Sequence, residues 1–501
     1  MRLRFAAALA SFVAILAGCA VGPDFRRPEA PKTSAYTTTA LPPETAAAPV
    51  TGGAAQRFVA GRDIPAQWWG LFHSDALDRL IRQALAHSAT LAAAQAALRG
   101  AQENLRSEVG AVLYPSVDGH FSAERQKISG AAFGNPSNIP IFNLYNASVG
   151  VSYRIDIVGG GWRGLEALQS QVDYQCFQVD AAYLALTANL ATAAVQEAML
   201  RAQVRATQEI LALQEKQLAV VERQFALGAV SRPDVLAQRT QVAQTRTTLP
   251  PLEKQLAQNR HRLAVLAGKL PSEAVLPEFE LDGLQLPREL PVSLPSALVR
   301  QRPDIRAAEA LLHQASAQIG VATANLYPQI TLTGNYGSES VAFRNLFGSG
   351  TAVWNLGASL LQPIFHGGEL IAKRSAAIAA YDQAAAQYRE TVLEAFRDVA
   401  DTLRALELDA VTLAAQAEAE KAARVALEIT EKQFRLGAVS YLSLLNAQRL
   451  DQQARVALVQ AQAARFADTA ALFQALGGGW WNIPPDTAAA ERTDSTTHRE
   501  D

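Results

Sequence analysis

Two stretches of this chain run for more than sixty residues without a glycine or a proline, Leu165 to Leu227 and Glu369 to Leu436. They are dominated by Ala, Leu, Gln, Glu and Arg, all good helix formers. At 1.5 Å per residue, a continuous helix of that length reaches about 100 Å. No compact domain accommodates such a rod. Each stretch ends in the same tip: Gln224-Phe225-Ala226-Leu227-Gly228-Ala229-Val230-Ser231 recurs as Gln433-Phe434-Arg435-Leu436-Gly437-Ala438-Val439-Ser440, seven of eight residues identical. A further helical run follows each tip, 232–267 and 441–476, so each half reads as a long antiparallel hairpin turned at a glycine. Val204, Leu211, Leu218 and Phe225 fall at seven-residue spacing, a coiled-coil-like seam. Leu413, Leu427 and Phe434 repeat part of it, with Glu420 breaking the run. Pro250 and Pro251 are expected to kink or interrupt the first return helix.

The duplication extends beyond the tips. Leu113-Tyr114-Pro115 recurs as Leu326-Tyr327-Pro328, and Gly159-Gly160 as Gly367-Gly368, in the same order about 210 residues later. Between these markers each half holds two runs of period two. Tyr145 to Ile157 alternates without a break, and Val117 to Glu124, Ile330 to Tyr336 and Trp354 to Leu360 do the same. The implied strands lie at about 116–125, 145–157, 329–337 and 352–365. Runs of this length, apolar on one side and polar on the other, suit a β-strand that crosses a membrane. The segments between them, 125–144 and 338–352, are rich in Gly, Asn and Ser. Four strands cannot close a barrel, and an open sheet edge cannot face lipid. Membrane insertion would therefore require several copies: two give eight strands, three give twelve.

The amino terminus supplies the compartment. Arg2 and Arg4 precede an apolar run from Phe5 to Leu16, which is too short for a permanent span. Leu16-Ala17-Gly18-Cys19 then looks like a lipobox. Cys19 would carry a thioether-linked diacylglycerol and an N-acyl chain, and Ala20, in place of an inner-membrane-retaining Asp, points to the outer membrane. Multiple acyl chains, at roughly 0.8 kcal/mol per buried methylene, anchor firmly. The other cysteine, Cys176, reads as buried and inert. The chain divides into a signal peptide (1–18), a lipidated tether (19–66), a first repeat (67–270), a connecting segment (271–293), a second repeat (294–477) and a tail (478–501).

Composition narrows the function. Net charge is −2, which gives no basic surplus for nucleic acid. Gly159-Gly160-Gly161 lacks the spacing and the Lys-Ser/Thr ending of a phosphate loop, and no Gly-x-Ser-x-Gly elbow occurs. The seven histidines show no metal-ligand spacing. The chain is expected to be neither an enzyme nor a metal or cofactor protein.

Cys19-Ala20-Val21-Gly22-Pro23-Asp24-Phe25 with Arg27-Pro28, Trp68-Trp69 ahead of Phe72, both Tyr-Pro pairs and both Leu-Gly-Ala-Val-Ser copies resemble the TolC family of outer-membrane factors. The likeness is to the lipoprotein (NodT-like) branch that serves resistance-nodulation-division (RND) efflux pumps. It implies an α+β membrane protein: long helical hairpins form a periplasmic tunnel, and four strands per chain contribute to a twelve-stranded barrel shared by a homotrimer. It also implies passive export of small molecules, with a periplasmic adaptor and an inner-membrane pump as partners. A type I outlet for proteins uses the same fold, and a scaffolding lipoprotein would share the helices but form no pore.

The polar strand residues Asp118, Glu124, Arg154, Asp156, Asn335 and Asn355 would line the barrel lumen. The tips Leu227, Gly228, Ala229, Val230, Ser231 and Leu436, Gly437, Ala438, Val439, Ser440 would meet the adaptor, with Leu227, Val230, Leu436 and Val439 as exposed apolar knobs. Relatives commonly carry an acidic residue shortly after the second tip, where this chain has Asn446. Leu442 and Asn446 would then form a gate held by packing and amides, while Asp234 remains after the first tip. The run Tyr153 to Gly159 also departs from the family pattern.

Overall fold

The computed structural model describes residues 20–129 and 141–482. The expected signal peptide, Cys19, residues 130–140 of the expected loop 125–144, and residues 483–501 lie outside them. In chain order the elements are β1 (Arg57–Ala60), α1 (Asp75–His87), α2 (Ala89–Leu113), β2 (Ser116–Gln126), β3 (Phe142–Ile155), α3 (Gly160–Ala226) and α4 (Arg232–Leu266). Then come β4 (Glu289–Val292), α5 (Pro295–Gln301), α6 (Pro303–Ala324), β5 (Gln329–Ser340), β6 (Ala352–Leu361), α7 (Glu369–Arg435) and α8 (Tyr441–Ala475). The duplication shows in the lengths: α3 and α7 have 67 residues each, α4 and α8 have 35 each.

Both long helices stop the same way. Gly228 and Gly437 take left-handed φ values of 76° and 72°. In the first tip Ala229 N–H bonds to Gln224 O and Gly228 N–H to Phe225 O; in the second Ala438 N–H bonds to Gln433 O and Gly437 N–H to Phe434 O. These paired bonds satisfy carbonyls that a helix end leaves open, in the Schellman arrangement. The expected interruption at Pro250-Pro251 does not occur, because α4 runs through both prolines. Both are exposed, so water can solvate the carbonyls they leave without a partner.

The structure divides into two units. One comprises Met1–Pro28, Ala96–Cys176 and Ala307–Arg389; the other comprises Glu29–Gln95, Phe177–Arg306 and Glu390–Asp501. The first unit contains an antiparallel sheet of order β2-β3-β5-β6. Its strands reach further than expected at three ends, β2 to Gln126, β3 from Phe142 and β5 to Ser340, and stop short at two. β3 stops at Ile155 because Asp156 turns to serve the next helix, and β6 stops at Leu361, ahead of Pro363, which cannot donate to a ladder. Cys176 is half-buried, not fully buried.

The second unit holds the largest core. Trp68, Trp69 and Phe72 are buried, and Trp68 stacks on Phe473 at 5.2 Å. Residues 29–66 are extended, as expected, but they are not a loose tether. β1 pairs in parallel with β4, the Tyr36 hydroxyl donates to Ser293 O at 2.9 Å, and Ile64 and Gln56 are fully buried. Arg465, also fully buried, donates through Nη2 to Gln56 Oε1 at 2.6 Å. The tail is fixed up to Asn482 as well, since Trp480 donates to Gln301 O and Asn482 to Ile64 O.

Candidate functional site

The sheet of the first unit has two chemically distinct faces, and its register proves the sorting. Directly opposed residues of an antiparallel pair lie on one face. Phe121 opposes Ala147, Val149 opposes Tyr336, and Tyr336 opposes Trp354. That face also carries Val117, Val151, Leu332, Leu356 and Leu360, and it is exposed: Trp354 is 75% and Leu356 81% accessible. On the other face Asp118 opposes Gly150, Gly150 opposes Asn335, and Asn335 opposes Asn355. Glu124 and Arg154 share this polar face. Asn335 donates to Ser148 Oγ at 3.4 Å, and Ser148 to Asn146 at 3.0 Å. Phe142, Leu144, Val353 and Leu361 are the apolar exceptions, at or near strand ends. Neither β2 nor β6 has an outer neighbour among the described residues.

Asp156 departs from its expected place. It lies past the end of β3, and its carboxylate accepts from the backbone N–H groups of Gly160, Gly161 and Trp162 at 2.8–3.1 Å. It neutralises the amide-rich start of α3 and so makes the strand-to-helix corner rather than lining a bore.

Aromatic residues bracket the sheet. Tyr114 and Tyr327 precede β2 and β5, Phe365 follows β6, and Trp162 starts α3; all four are exposed. At the opposite end Phe343 packs edge-on to Phe121 and Tyr145, with Phe347 exposed beside it in the chain. Aromatic rings at both margins of an apolar band are the pattern of a membrane interface.

The tips belong to the second unit. Leu227 and Leu436 project, 85% and 84% exposed. Val230 and Val439 do not stand out in the same way. Both are half-buried, and Val230 packs on a cluster of Val221, Val235, Tyr441 and Leu444. Leu442 and Asn446 are exposed on the first turns of α8. Asp234 accepts from both the N–H and the hydroxyl of Ser231, a helix-start role that the second tip lacks, where Ser443 stands in its place.

One residue at the tips was missed in the sequence. The Tyr441 hydroxyl donates to Gln238 Oε1, joining the two hairpins, and its ring packs 5.4 Å from Phe434. Burial first, then the charge of Asp234, pushes its phenol far above the ordinary range, so it stays a neutral donor. A signal existed: Tyr441 occupies the position where the first copy has Arg232, the first break in the repeat after the shared serine.

Among the described residues no group of three or more His, Cys, Asp or Glu side chains is placed to hold a metal, and no helix is long and apolar enough to cross a membrane. Comparison with known proteins decides the family. The model of the outer membrane efflux protein family matches residues 80–269 and 294–478. The chain belongs to this family. It is 34% identical over 427 residues to the pyoverdine export outer membrane protein OpmQ of Pseudomonas aeruginosa, covering 83% of this chain and 87% of that one. It is 32% identical over 474 residues to the probable efflux pump outer membrane protein TtgC of Pseudomonas putida, covering 93% and 94%. The solved outer-membrane channel OprN superposes with a TM-score of 0.82 at 26% identity, covering 92% of this chain and all of that one. The protein is an outer-membrane component of an efflux system, with the fold of these channels.

Proposed function

We propose that three copies of this chain share one twelve-stranded barrel in the outer membrane, and that their helical hairpins continue its bore into the periplasm. Solutes leave through it passively, delivered by an RND-type inner-membrane pump through a periplasmic adaptor that meets Leu227 and Leu436. Cys19 carries the lipid anchor. No covalent step is needed, so the chain's task is to enclose water.

The observation that carries this reading is the two-faced sheet with open edges. Unsatisfied edge amides and carbonyls cost several kcal/mol each in lipid, far more than any one exposed side chain returns. Burying an apolar side chain on the outer face stabilises by roughly 1.5–3 kcal/mol. The apolar face therefore favours the bilayer only if β2 and β6 find partners, and identical copies supply them. Asp118, Glu124, Arg154, Asn335 and Asn355 then face the water-filled interior. At the far end, opening requires the two hairpins to part, and the Tyr441–Gln238 bond resists this.

Light scattering on detergent-solubilised full-length protein, corrected for bound detergent, tests the reading. A mass of three protomers is expected. A monomer that leaves the membrane without its acyl chains overturns the shared barrel in favour of a scaffolding lipoprotein.

A further inference from the structure

The conduit reading leaves one sequence motif unused, the Val21-Gly22-Pro23-Asp24-Phe25 run with Arg27-Pro28. In the first unit these residues are held by side chains and backbone of α3 and α6 and by the corner before α3. Ala20 sits on Gly159: a Cβ built there would fall 2.5 Å from the Ala20 Cα. Val21 N–H bonds to Val158 O at 2.9 Å, and its carbonyl accepts from Arg163 Nε at 3.2 Å. Gly22, at φ +97°, lies so close to α6 that a Cβ would come 2.5 Å from the Gly320 Cα. Asp24 pairs with Arg163 at 2.7 Å, and Arg163 is itself 5% exposed. The Phe25 ring stacks on His313 at 4.2 Å and 14°, while His313 Nε2 meets Glu166 Oε1 at 2.8 Å. Arg27 pairs with Glu309 at 2.6 Å.

A solvated linker has no reason to make this many specific contacts within eight residues. Each ordered residue costs backbone entropy, and the contacts must jointly offset that cost over the whole run. Two approaches, at Gly22 and at Gly159, are closed to any side chain. The seat is therefore shaped for backbone, and it ends one residue short of Cys19.

We propose that residues 20–27 are a fixed mount for the lipidated amino terminus, so that the acyl chains leave the protein at Gly159, on the corner between β3 and α3, instead of at the end of a free linker. This rests on the reading of Cys19 as the acylated residue. Without these contacts the ten residues 19–28, ahead of the ordered run, could swing the lipid over about 30 Å; the mount confines it to one place on each protomer. Its first contact, Gly159, lies between the end of β3 at Ile155 and the exposed Trp162, so the acyl chains enter the leaflet that meets the foot of the sheet.

Trypsin tests this on the detergent-solubilised full-length protein. The Arg26–Arg27 bond lies inside the mount, Arg27–Pro28 resists cleavage, and the Lys32–Thr33 bond lies outside as an internal reference. New amino termini at Arg27 and Thr33 are counted at early times. In the parent protein Thr33 should dominate. Asp24→Asn and Gly22→Val should raise the Arg27:Thr33 ratio at least about tenfold by opening the segment, with Gly100→Ala, a helix glycine with open space around it, unchanged. Asp24 is 91% exposed at its side chain, so its variant tests the mount without disturbing a core. An equal ratio in the parent, Asp24→Asn and Gly22→Val overturns the mount. The mass of the released 19–26 peptide reports acylation separately: a bare peptide overturns the lipid assignment, whatever the ratio. The protomer number from light scattering is independent of both.

Discussion

Tyr441, the first residue of α8, donates its hydroxyl to Gln238 of α4, and Gln238 in turn donates to the backbone oxygen of Gln214 on α3. This short chain of bonds ties the second hairpin to the first, close to both tips. All of its side chains are buried. Removing the hydroxyl leaves Gln238 Oε1 without its donor, which costs about 1–3 kcal/mol. Tyr441→Phe keeps the ring packing on Phe434 and isolates that effect. It should raise the resting conductance of the reconstituted channel severalfold while leaving the protomer number found by light scattering unchanged. Unaltered conductance in an assembly of unchanged mass would remove the bond from any account of gating.

The tip glycines invite a different expectation. Both adopt φ values that L residues avoid, yet a Cβ at Gly228 or Gly437 would meet nothing within 4 Å. The requirement is conformational and not steric. Gly437→Ala should cost about 1 kcal/mol, fraying the last turn of α7 more than the whole fold. Hydrogen exchange of the amides from Gln433 to Ser443 should quicken about fivefold, with the core around Trp68 unchanged. A loss of protection throughout the second unit would mean the tip is a folding determinant instead.

Acidity should act on the second unit through Asp468. Burial, then the neighbouring carboxyl of Asp409, pushes its pKa up to about 7, partly opposed by Arg465. Its Oδ2 is buried without a hydrogen-bond partner among the described residues, and Arg465 lies on the same helix beneath Gln56 and Thr45. A carboxyl raised in the folded state binds a proton more tightly there than when unfolded. Its stabilisation is complete below about pH 4 and is lost as pH rises through about 7. Melting temperature should therefore fall between pH 5 and pH 8 in the parent. Asp468→Asn, which mimics the protonated form, should raise it by about 2 °C or more at pH 8 and by less than half as much at pH 5, where roughly a third of the stabilisation is already lost. An equal shift at both values would place the effect elsewhere.

Much of this architecture could be read from the sequence because its signals are local. The 67-residue helices announce themselves by the lack of Gly and Pro, and the strands by strict alternation, which survives because each strand has one apolar and one polar side. Long-range partners leave no such trace. Nothing local distinguishes the extended run 29–66 from a solvated tether, because what orders it is the distant β4 strand, Ser293 and Arg465. Asp156 kept the strand's alternation but was claimed by the next helix's amides. Val230 matched Val439 in the repeat, and its burial depends on Tyr441, which the repeat does not share.

The acidic groups at the tips set the last expectation. Asp234 is half-buried and holds the two donors of Ser231, while Asn446, on the other hairpin, is exposed and uncharged. A ring of three carboxylates on the axis would bind a multivalent cation strongly, since converging like charges gain most from neutralisation. Here the carboxylate on offer is already engaged in starting α4. A trivalent cation added at the periplasmic end should block only at high concentration and lose effect with added salt. Asn446→Asp should create tight block, lowering the blocking concentration at least about tenfold, because it adds a charge on every protomer with no local donor to occupy it. Asp234→Asn should leave block nearly unchanged and cost about 0.5–1 kcal/mol in helix start instead. Tight block in the parent that survives Asp234→Asn would show that other groups line the constriction.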